Sequence, residues 1–505
     1  MLPIVLLALL AQEPPPLVLK STTRLVQVNV IATRHDKPVT TLTQNDFTLT
    51  DNGKTQLVTL FSTDSIEVPA SLPAPAEKLP PNTFTNRVDR RFGARTGITI
   101  ILLDALNTPF INSAFARDQI LEYLKTITPA DHIGVYFLGN ELHILHDYTS
   151  DATDIVEHVK VFKNRDQFRG PGVQGPGQAA SRTRDTLKII SFIAQNLASL
   201  PGRKNLVWIS SGFPPMLGLS GRAEGYSSFS REIDACIRAM NNANLAIYPV
   251  DARGLSSPAN SEASRSGFGQ VQREWKPTQM SMTATSHDTM LDLAEGTGGK
   301  AWFNSTDFAK AIRTSVDDAS FTYTLGFYPT DVQANGKYHA LKLKVDQPGI
   351  TLRYRKGYID LPEQSQNEAT RKADLHNTVN SPLEATELSL VTQVKEDPTN
   401  PENLELLIRV DPRGLTLTQE NNTWNGTIDV LFVQKDTAGK QYNGREDTLN
   451  LHLNKERYNS VAHHGLAYRQ RVIRAPLATE LRVVVRDAAT GATGSLTIPF
   501  IKLKD

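Results

Sequence analysis

Residues 98–109, ITIILLDALNTP, contain an apolar run of strand length that ends at Asp104 and continues into a polar loop. Further apolar runs of strand length follow at 133–138, 206–209 and 245–250. Segments in which apolar residues recur at helical spacing separate these runs. Buried strands that alternate with amphipathic helices are typical of an α/β domain with a largely parallel central sheet. The stretch at Asp104 therefore predicts the first strand of such a sheet.

One apolar segment breaks this alternation. Residues 141–147 follow the run 133–138 directly across Gly139 and Asn140, with no intervening helix. Two strands joined by so short a connection form an antiparallel hairpin, because parallel strands need a long crossover. We therefore expect one antiparallel edge strand on a mostly parallel sheet.

Length and charge limit the classes of protein to consider. The chain has 505 residues, which at about 150 residues per domain predicts roughly three domains. Lys and Arg number 54 against 53 Asp and Glu, a formal charge of +1. This balance predicts neither nucleic acid nor an anionic membrane as the main partner. The single cysteine, Cys236, excludes an internal disulfide and a cysteine-based metal site. Its place in a helical apolar stripe predicts a core thiol.

Changes in pattern divide the chain into seven segments. The parts outside the α/β region are rich in short alternating strands or, in the linkers, in polar residues and proline. The predicted segments are a signal peptide (1–11), an N-terminal β-rich unit (17–65), a linker (66–95), the α/β domain (96–320), a β extension of that domain or a small β appendage (321–360), a second linker (361–385) and a C-terminal β-sandwich-like domain (386–505).

The first residues predict where the protein is located. An apolar run at 2–11 is too short to span a bilayer and is followed by a Pro-rich stretch. This pattern favours a secretory signal peptide and a secreted or periplasmic location, although an unstructured start is the alternative. No later segment has 18 consecutive apolar residues, so we expect no integral membrane segment after signal cleavage.

Ligands of open α/β sheets bind at the carboxyl ends of the strands, so the residues that end the apolar runs are the first site candidates. They are Asp104, Gly139, residues 210–212 and Asp251. Asp104 and Thr108 offer a carboxylate and a hydroxyl from one loop, which suits a hard cation such as Mg²⁺. Asp104 could instead brace the loop through hydrogen bonds to backbone N–H groups.

Three stretches carry a resemblance to a known family. They are LVQVNVIATRHDKPVTTLTQNDFTLTDNGKTQLVTLF at 25–61, GRKNLVWISSGF at 202–213, and YTLGFYPTDVQANGKYHALKLKV with RYRKGYID at 323–360. Together with the Asp104 loop and the hairpin, they resemble the von Willebrand factor type A domain, and in particular the acidobacterial branch of von Willebrand factor type A related proteins. The resemblance covers roughly residues 20–360. It implies a doubly wound, mostly parallel sheet.

The resemblance also implies a metal-ion-dependent adhesion site, in which an Asp-x-Ser-x-Ser loop and residues of two further loops hold a divalent cation. Asp104 and Thr108 match the first and last ligands of the loop, whereas Leu106 replaces the first serine and Ser211 stands at the position of an aspartate. The implied ligands for Mg²⁺ or Mn²⁺ are therefore Asp104, Thr108 and Ser211, an incomplete set.

Three further residues bear on this site. Thr183 and Thr186 are the candidates for the remaining threonine ligand, or they simply begin a helix. Asp251 could restore the missing charge, or it pairs locally with Arg253.

The sequence contains no recognisable catalytic motif. G-x-S-x-G, H-E-x-x-H and P-loop patterns do not occur, and the glycine-rich stretch at 170–175 follows a charged segment rather than a strand. We therefore expect a non-catalytic binding or adhesion protein that contacts a protein or an extracellular polymer, with a degenerate metal site. The alternatives are a divalent-metal-dependent extracellular hydrolase and a purely structural envelope component.

Overall fold

The structure is a computed structural model of the chain. It describes residues 25–65, 79–87, 97–127, 132–148, 156, 176–200, 202–212, 226–254, 279–330, 337–359, 368–381, 383–397 and 400–503. The predicted signal peptide and the glycine-rich stretch at 170–175 lie outside these residues.

The described residues form a mixed α/β fold in which strands outnumber helices. The strands are β1 (Val26–Arg34), β2 (Lys37–Pro38), β3 (Phe47–Asp51), β4 (Lys54–Gln56), β5 (Val58–Ser65), β6 (Thr83–Thr85), β7 (Thr99–Asp104), β8 (Ile133–Leu138), β9 (Leu142–His146), β10 (Lys204–Ser210), β11 (Leu245–Asp251), β12 (Phe321–Phe327), β13 (Tyr338–Val345), β14 (Thr351–Arg353), β15 (Gly357–Ile359), β16 (Leu390–Asp397), β17 (Asn400–Val410), β18 (Thr418–Glu420), β19 (Thr423–Lys435), β20 (Gln441–Leu453), β21 (Leu466–Ile473), β22 (Glu480–Asp487) and β23 (Thr493–Pro499).

The α-helices lie between these strands. They are α1 (Phe110–Leu124), α2 (Pro176–Leu197), α3 (Tyr226–Asn242), α4 (Gln279–Thr297), α5 (Phe308–Ser320), α6 (Glu368–Asn380) and α7 (Lys455–His464). In the part of the chain that the structure describes, no helix combines the length and apolar character needed to cross a membrane.

Among the described residues, parallel pairing occurs in one of five sheets. Its strand order is β11-β10-β7-β8-β9. The first three pairs are parallel, and β9 is antiparallel to β8, so the predicted hairpin is present. Helices α2, α3 and α4 contribute to the core on one face, while α1 and α5 contribute to the core on the other. Cys236 lies in the first of these cores and is 1% exposed, as its helical stripe predicts.

The other four sheets are antiparallel, so the described sheets are mostly antiparallel. Strand β12 pairs with β1 and β5, and β13 pairs with β3. The predicted β extension at 321–360 therefore does not lengthen the α/β sheet. It completes the N-terminal β-rich unit instead, because alternating apolar residues of both segments share one core.

The two predicted linkers contain secondary structure of the C-terminal domain. Strand β6, within 66–95, pairs with β16, because Thr85 and Asn86 hydrogen-bond the backbone of that domain. Helix α6, within 361–385, packs Leu375 and Val379 against the sheet that contains β22. Both contacts are hard to recognise in the sequence: among the described residues, the first segment buries the polar Thr85 and Asn86, and helix α6 buries the apolar Leu375 and Val379.

A short segment ties the C-terminal domain to the α/β domain. Leu383 is buried in the α/β core. Close to it, the Thr386 hydroxyl donates to the Asn196 carbonyl at 2.8 Å and accepts from Ser199 N–H at 3.1 Å. The Asn196 side chain donates in turn to the Glu384 carbonyl at 2.8 Å. We call residues 383–386 the strap, since they join the end of α2 to the C-terminal sandwich.

Removing the Thr386 hydroxyl tests the strap. We expect Thr386→Val to lower the free energy of unfolding by about 1–2 kcal/mol, because the half-buried Ser199 N–H loses its acceptor. Urea unfolding followed by circular dichroism measures the change. The exposed Thr55→Val serves as the control and should change stability by less than about 0.5 kcal/mol. Equal effects of the two substitutions would contradict a structural role for the strap.

Candidate functional site

The candidate site lies at the carboxyl edge of the parallel strands. Asp104 ends β7, Ser210 ends β10 and Asp251 ends β11, and Ser210 and Asp251 are register partners. Because side chains alternate along a strand, Asp104, Trp208 and Ser210 lie on the same face of the sheet, the face covered by α2. The strand-end residues singled out in the sequence therefore share one edge of the sheet.

The Asp104 carboxylate is fully buried and surrounded by hydrogen-bond donors. Its Oδ1 accepts from Asn107 N–H at 3.0 Å. Its Oδ2 accepts from the Asn107 side-chain amide at 2.9 Å, from Trp208 Nε1–H at 3.1 Å and from the Ser210 hydroxyl at 2.8 Å. Burial raises the pKa of Asp104, and these donors act against that rise. Asp104, at the end of β7, therefore connects the loop that follows it to the neighbouring strand β10.

Thr108 and Ser211, the other two predicted metal ligands, also lie together. The Thr108 hydroxyl is buried and accepts from Ser211 N–H at 3.0 Å. The next residue, Gly212, donates its N–H to the Ser210 hydroxyl at 3.0 Å. The structure therefore brings Asp104, Thr108 and Ser211 to one place, where backbone and hydroxyl hydrogen bonds join their loops.

Helix α2 closes the site on one side. Thr186 accepts from the Asn107 amide at 2.8 Å and donates to the Arg182 carbonyl one turn earlier at 2.9 Å. Arg182 is half-buried and interacts electrostatically with Asp104. Burial lowers the pKa of Arg182, and the negative charge of Asp104 opposes this. A guanidinium therefore supplies positive charge close to the buried carboxylate.

The residues present fit a divalent cation poorly. Trp208 Nε1–H and the two Asn107 N–H groups point at Asp104, and a donor nitrogen of this kind has no lone pair to offer a metal. Within the described ranges, no three His, Cys, Asp or Glu side chains are placed to share a metal. Two typical ligand positions are thus occupied by Leu106 and Ser211, and the remaining carboxylate, Asp104, already accepts hydrogen bonds from protein donors.

A metal titration checks this assessment. We expect no saturable heat when Mg²⁺ or Mn²⁺ is titrated into the full-length protein at millimolar concentrations, because ion binding would have to displace the Trp208 and Ser210 hydrogen bonds. Isothermal titration calorimetry makes the measurement, with Asp104→Asn as the matched variant. Saturable binding that disappears in Asp104→Asn would show that a working metal site is present.

Asp251 forms a second polar cluster at the same edge. Its Oδ2 lies 2.7 Å from His287 Nε2, and its Oδ1 accepts from Arg253 N–H and Nε–H at 2.9 and 2.8 Å. Burial acts to raise the pKa of Asp251, but the hydrogen bonds from His287 and Arg253 outweigh it and the pKa is lowered. The His287 ring also stacks on Phe303 with a centroid distance of 3.9 Å. The local pair of Asp251 with Arg253 is thus present.

Large apolar side chains are exposed beside this edge. Phe110, Ile111 and Phe115, in the first two turns of α1, have 53%, 73% and 38% of their surface exposed. Helix α1 begins directly after the Asp104 loop, so these side chains border the site. Contiguous exposed apolar groups of this kind usually mark a contact surface.

Sequence reasoning located the loop but missed several residues that complete the site. Ser210 was expected at the sheet edge as a strand-end residue, whereas Asn107, Arg182, Trp208 and His287 were assigned no role. The alternation of side chains along β10 could have placed Trp208 and Ser210 beside Asp104. His287 carries no such signal, because it reaches Asp251 from a helix 36 residues further along the chain.

Comparisons with known proteins give weak likenesses. No family model matches the chain, and no curated protein matches it. Among solved structures, the von Willebrand factor type A protein from Catenulispora acidiphila is 10% identical, with a TM-score of 0.27 over 67% of this chain and 82% of that one. The pilus adhesin SpaC from Lactobacillus rhamnosus GG is 8% identical, with a TM-score of 0.27 over 81% of this chain and 54% of that one. The ArnB paralog VWA2 from Sulfolobus acidocaldarius is 9% identical, with a TM-score of 0.21 over 89% and 74%.

Proposed function

We propose that this chain is a secreted or periplasmic, non-catalytic binding or adhesion protein built around a von Willebrand factor type A-like, doubly wound domain. Its carboxyl sheet edge contacts a protein or an extracellular polymer, and its metal-ion-dependent adhesion site is degenerate. The assignment to the acidobacterial branch is part of the proposal. Export rests on the apolar run at 2–11, which lies outside the described residues.

The observation that carries the proposal is the exposed apolar start of α1. Burying Phe110, Ile111 and Phe115 against a partner would remove apolar surface from water, which stabilises a complex by about 25 cal/mol per Å². The side chains lie at the edge of the sheet where ligands of open α/β folds bind. The edge therefore offers a hydrophobic contact that needs no metal.

The rigid loop behind α1 supports the same function. Asp104, Asn107 and Thr186 form a continuous buried hydrogen-bond network that fixes the start of the helix. A contact surface held in place by the fold loses little conformational entropy on binding. The hydrogen bonds to Asp104 thus take over the ordering role that a bound cation would have in a complete adhesion site.

Site-specific photocross-linking in the parent cell tests the proposal. A photoreactive phenylalanine analogue replaces Ile111 in one variant and Lys125 in the control. Lys125 is exposed just beyond the other end of the same helix. We expect a discrete cross-linked species from position 111 that is absent from position 125. Equal or no cross-linking at both positions would contradict binding through this edge, and a stoichiometric complex formed only through the β domains would favour the structural-component alternative.

One observation favours the hydrolase alternative. His287 is paired with Asp251 at the sheet edge and is a possible general base that the sequence did not reveal. Esterase or phosphatase activity toward p-nitrophenyl substrates that is lost in His287→Ala would support that alternative. We expect no such activity, because a metal at Asp104 would have to displace the hydrogen bonds that Trp208 and Ser210 donate to its carboxylate.

A further inference from the structure

The outer face of one C-terminal sheet is basic. The sheet has the strand order β21-β17-β16-β6. Alternate residues of β17 (Leu404, Leu406, Ile408 and Val410) are at most 1% exposed and face the sandwich core. The residues between them therefore lie on the outer face, together with their register partners on β16 and β21.

Register places four cations on this face. Arg471, Glu405 and Lys395 form one row across the three strands, and Arg469, Leu407 and Gln393 form the next. In the third row, Arg409 lies between Ala467 and Val391. We call Lys395, Arg409, Arg469 and Arg471 the basic face. All four are exposed, and within the described residues none of them has an ion pair or side-chain hydrogen bond.

The spacing of the cations and the types of residue around them indicate which kind of polyanion this face can bind. Adjacent strands are about 4.8 Å apart and alternate residues of one strand about 7 Å apart, so neighbouring cations are separated by about 7–10 Å. One acidic residue, Glu405, lies among them, and Asp397 and Glu402 lie toward the tip of the β16–β17 hairpin. None of the nine residues in the three rows is aromatic, whereas single-stranded nucleic acid is bound largely by stacking on aromatic rings.

We propose that the basic face binds a linear anionic polysaccharide, with Arg409, Arg469, Arg471 and Lys395 contacting successive carboxylate or sulfate groups. Gln393, which is two residues from Lys395 on β16 and in the same row as Arg469, supplies an amide for sugar hydroxyls. Arg474, the next arginine along the chain, takes no part because its guanidinium lies over the Phe500 ring at 4.6 Å. This surface is separate from the sheet edge of the α/β domain, so the proposal does not depend on the proposed function.

Fluorescence polarisation with labelled heparin and labelled polygalacturonate, using the full-length protein at low salt, tests the proposal. Arg409→Gln, Arg469→Gln and Arg471→Gln combined should weaken binding at least tenfold and reduce the salt dependence by about two to three charges. The control combines Lys37→Gln, Lys342→Gln and Lys344→Gln, which remove the same charge from exposed strand positions of the N-terminal unit. It should change affinity less than twofold. Heparin alone or polygalacturonate alone identifies the sulfate or the carboxylate as the group recognised.

A second variant tests the proposal independently if the triple variant is unstable. Glu405→Gln removes the one acid within the three rows and should tighten binding severalfold. Equal loss in the arginine and lysine variants would overturn the proposal, since overall charge alone would then explain binding. Absence of binding to both polysaccharides would overturn it too, as would tighter binding of oligo-dT or of phosphatidylglycerol vesicles.

Discussion

Asp104→Ala should lower the free energy of unfolding by about 3 kcal/mol, because it leaves Trp208 Nε1–H and the Ser210 hydroxyl buried without their shared acceptor. The cost of burying the carboxylate, which raises its pKa, is relieved at the same time and keeps the loss from being larger. Urea unfolding at pH 7, followed through tryptophan fluorescence and circular dichroism, measures the change.

A second aspartate on the neighbouring helix provides the control for this prediction. Asp118 lies on α1, is exposed, and pairs with Arg117 at 2.9 Å. Asp118→Ala should change stability by less than about 0.5 kcal/mol, as expected for a surface ion pair. If Asp104→Ala were as stable as Asp118→Ala, the hydrogen bonds to Asp104 would not be holding the loop, and the proposal that they replace a bound cation would be wrong.

The wild-type protein should lose stability as the pH rises from about 4.5 to 7 because of Glu387. Burial raises the pKa of Glu387 from 4.5 to about 7, while Thr493 N–H and Arg486 oppose this rise. The folded state then binds more protons than the unfolded state between these two values, so its stability falls as the pH increases. The loss is at most about 3 kcal/mol and is complete above pH 7. Below pH 4.5 both states are protonated and the contribution is constant.

Glu387→Gln removes the titration and should abolish this fall. Glutamine keeps an oxygen that accepts from Thr493 N–H, now at 3.0 Å from Glu387, so the variant should be more stable than the wild type at pH 8. Urea unfolding at pH 5, 6, 7 and 8 compares the two proteins. Glu446→Gln, an exposed position in the same domain, is the control and should follow the wild type. A constant difference between wild type and Glu387→Gln at every pH would refute the assignment.

The parts of the fold that depend on local pattern could be predicted from the sequence. The apolar run before Asp104, the hairpin around Gly139 and the Asn52-Gly53 turn between β3 and β4 are all present. At that turn, both residues have positive φ angles of 46° and 81°, which Asn and Gly adopt readily. Each of these features is determined by residues adjacent in the chain.

The features that were missed depend on contacts between distant residues. Thr85 reaches Leu390 across 305 residues, which made β6 resemble part of a linker. Strand β12 pairs with β1 rather than with the parallel sheet, because its partner is chosen by a shared core and not by its own pattern. In the site, the resemblance pointed to Asp104, Thr108 and Ser211 as metal ligands. It could not show that Asp104 accepts a hydrogen bond from Trp208, which lies 104 residues away in the chain.

The strap has a mechanical consequence. The strap hydrogen-bonds the last turn of α2 at Asn196. About 15–21 Å earlier along the same helix, Thr186 hydrogen-bonds Asn107 of the Asp104 loop and Arg182 interacts electrostatically with Asp104. Tension applied to the C-terminal sandwich is therefore transmitted through the strap and along the axis of helix α2 to the edge of the α/β sheet. When the molecule is pulled from its C-terminal domain, the load would act directly behind the proposed contact surface.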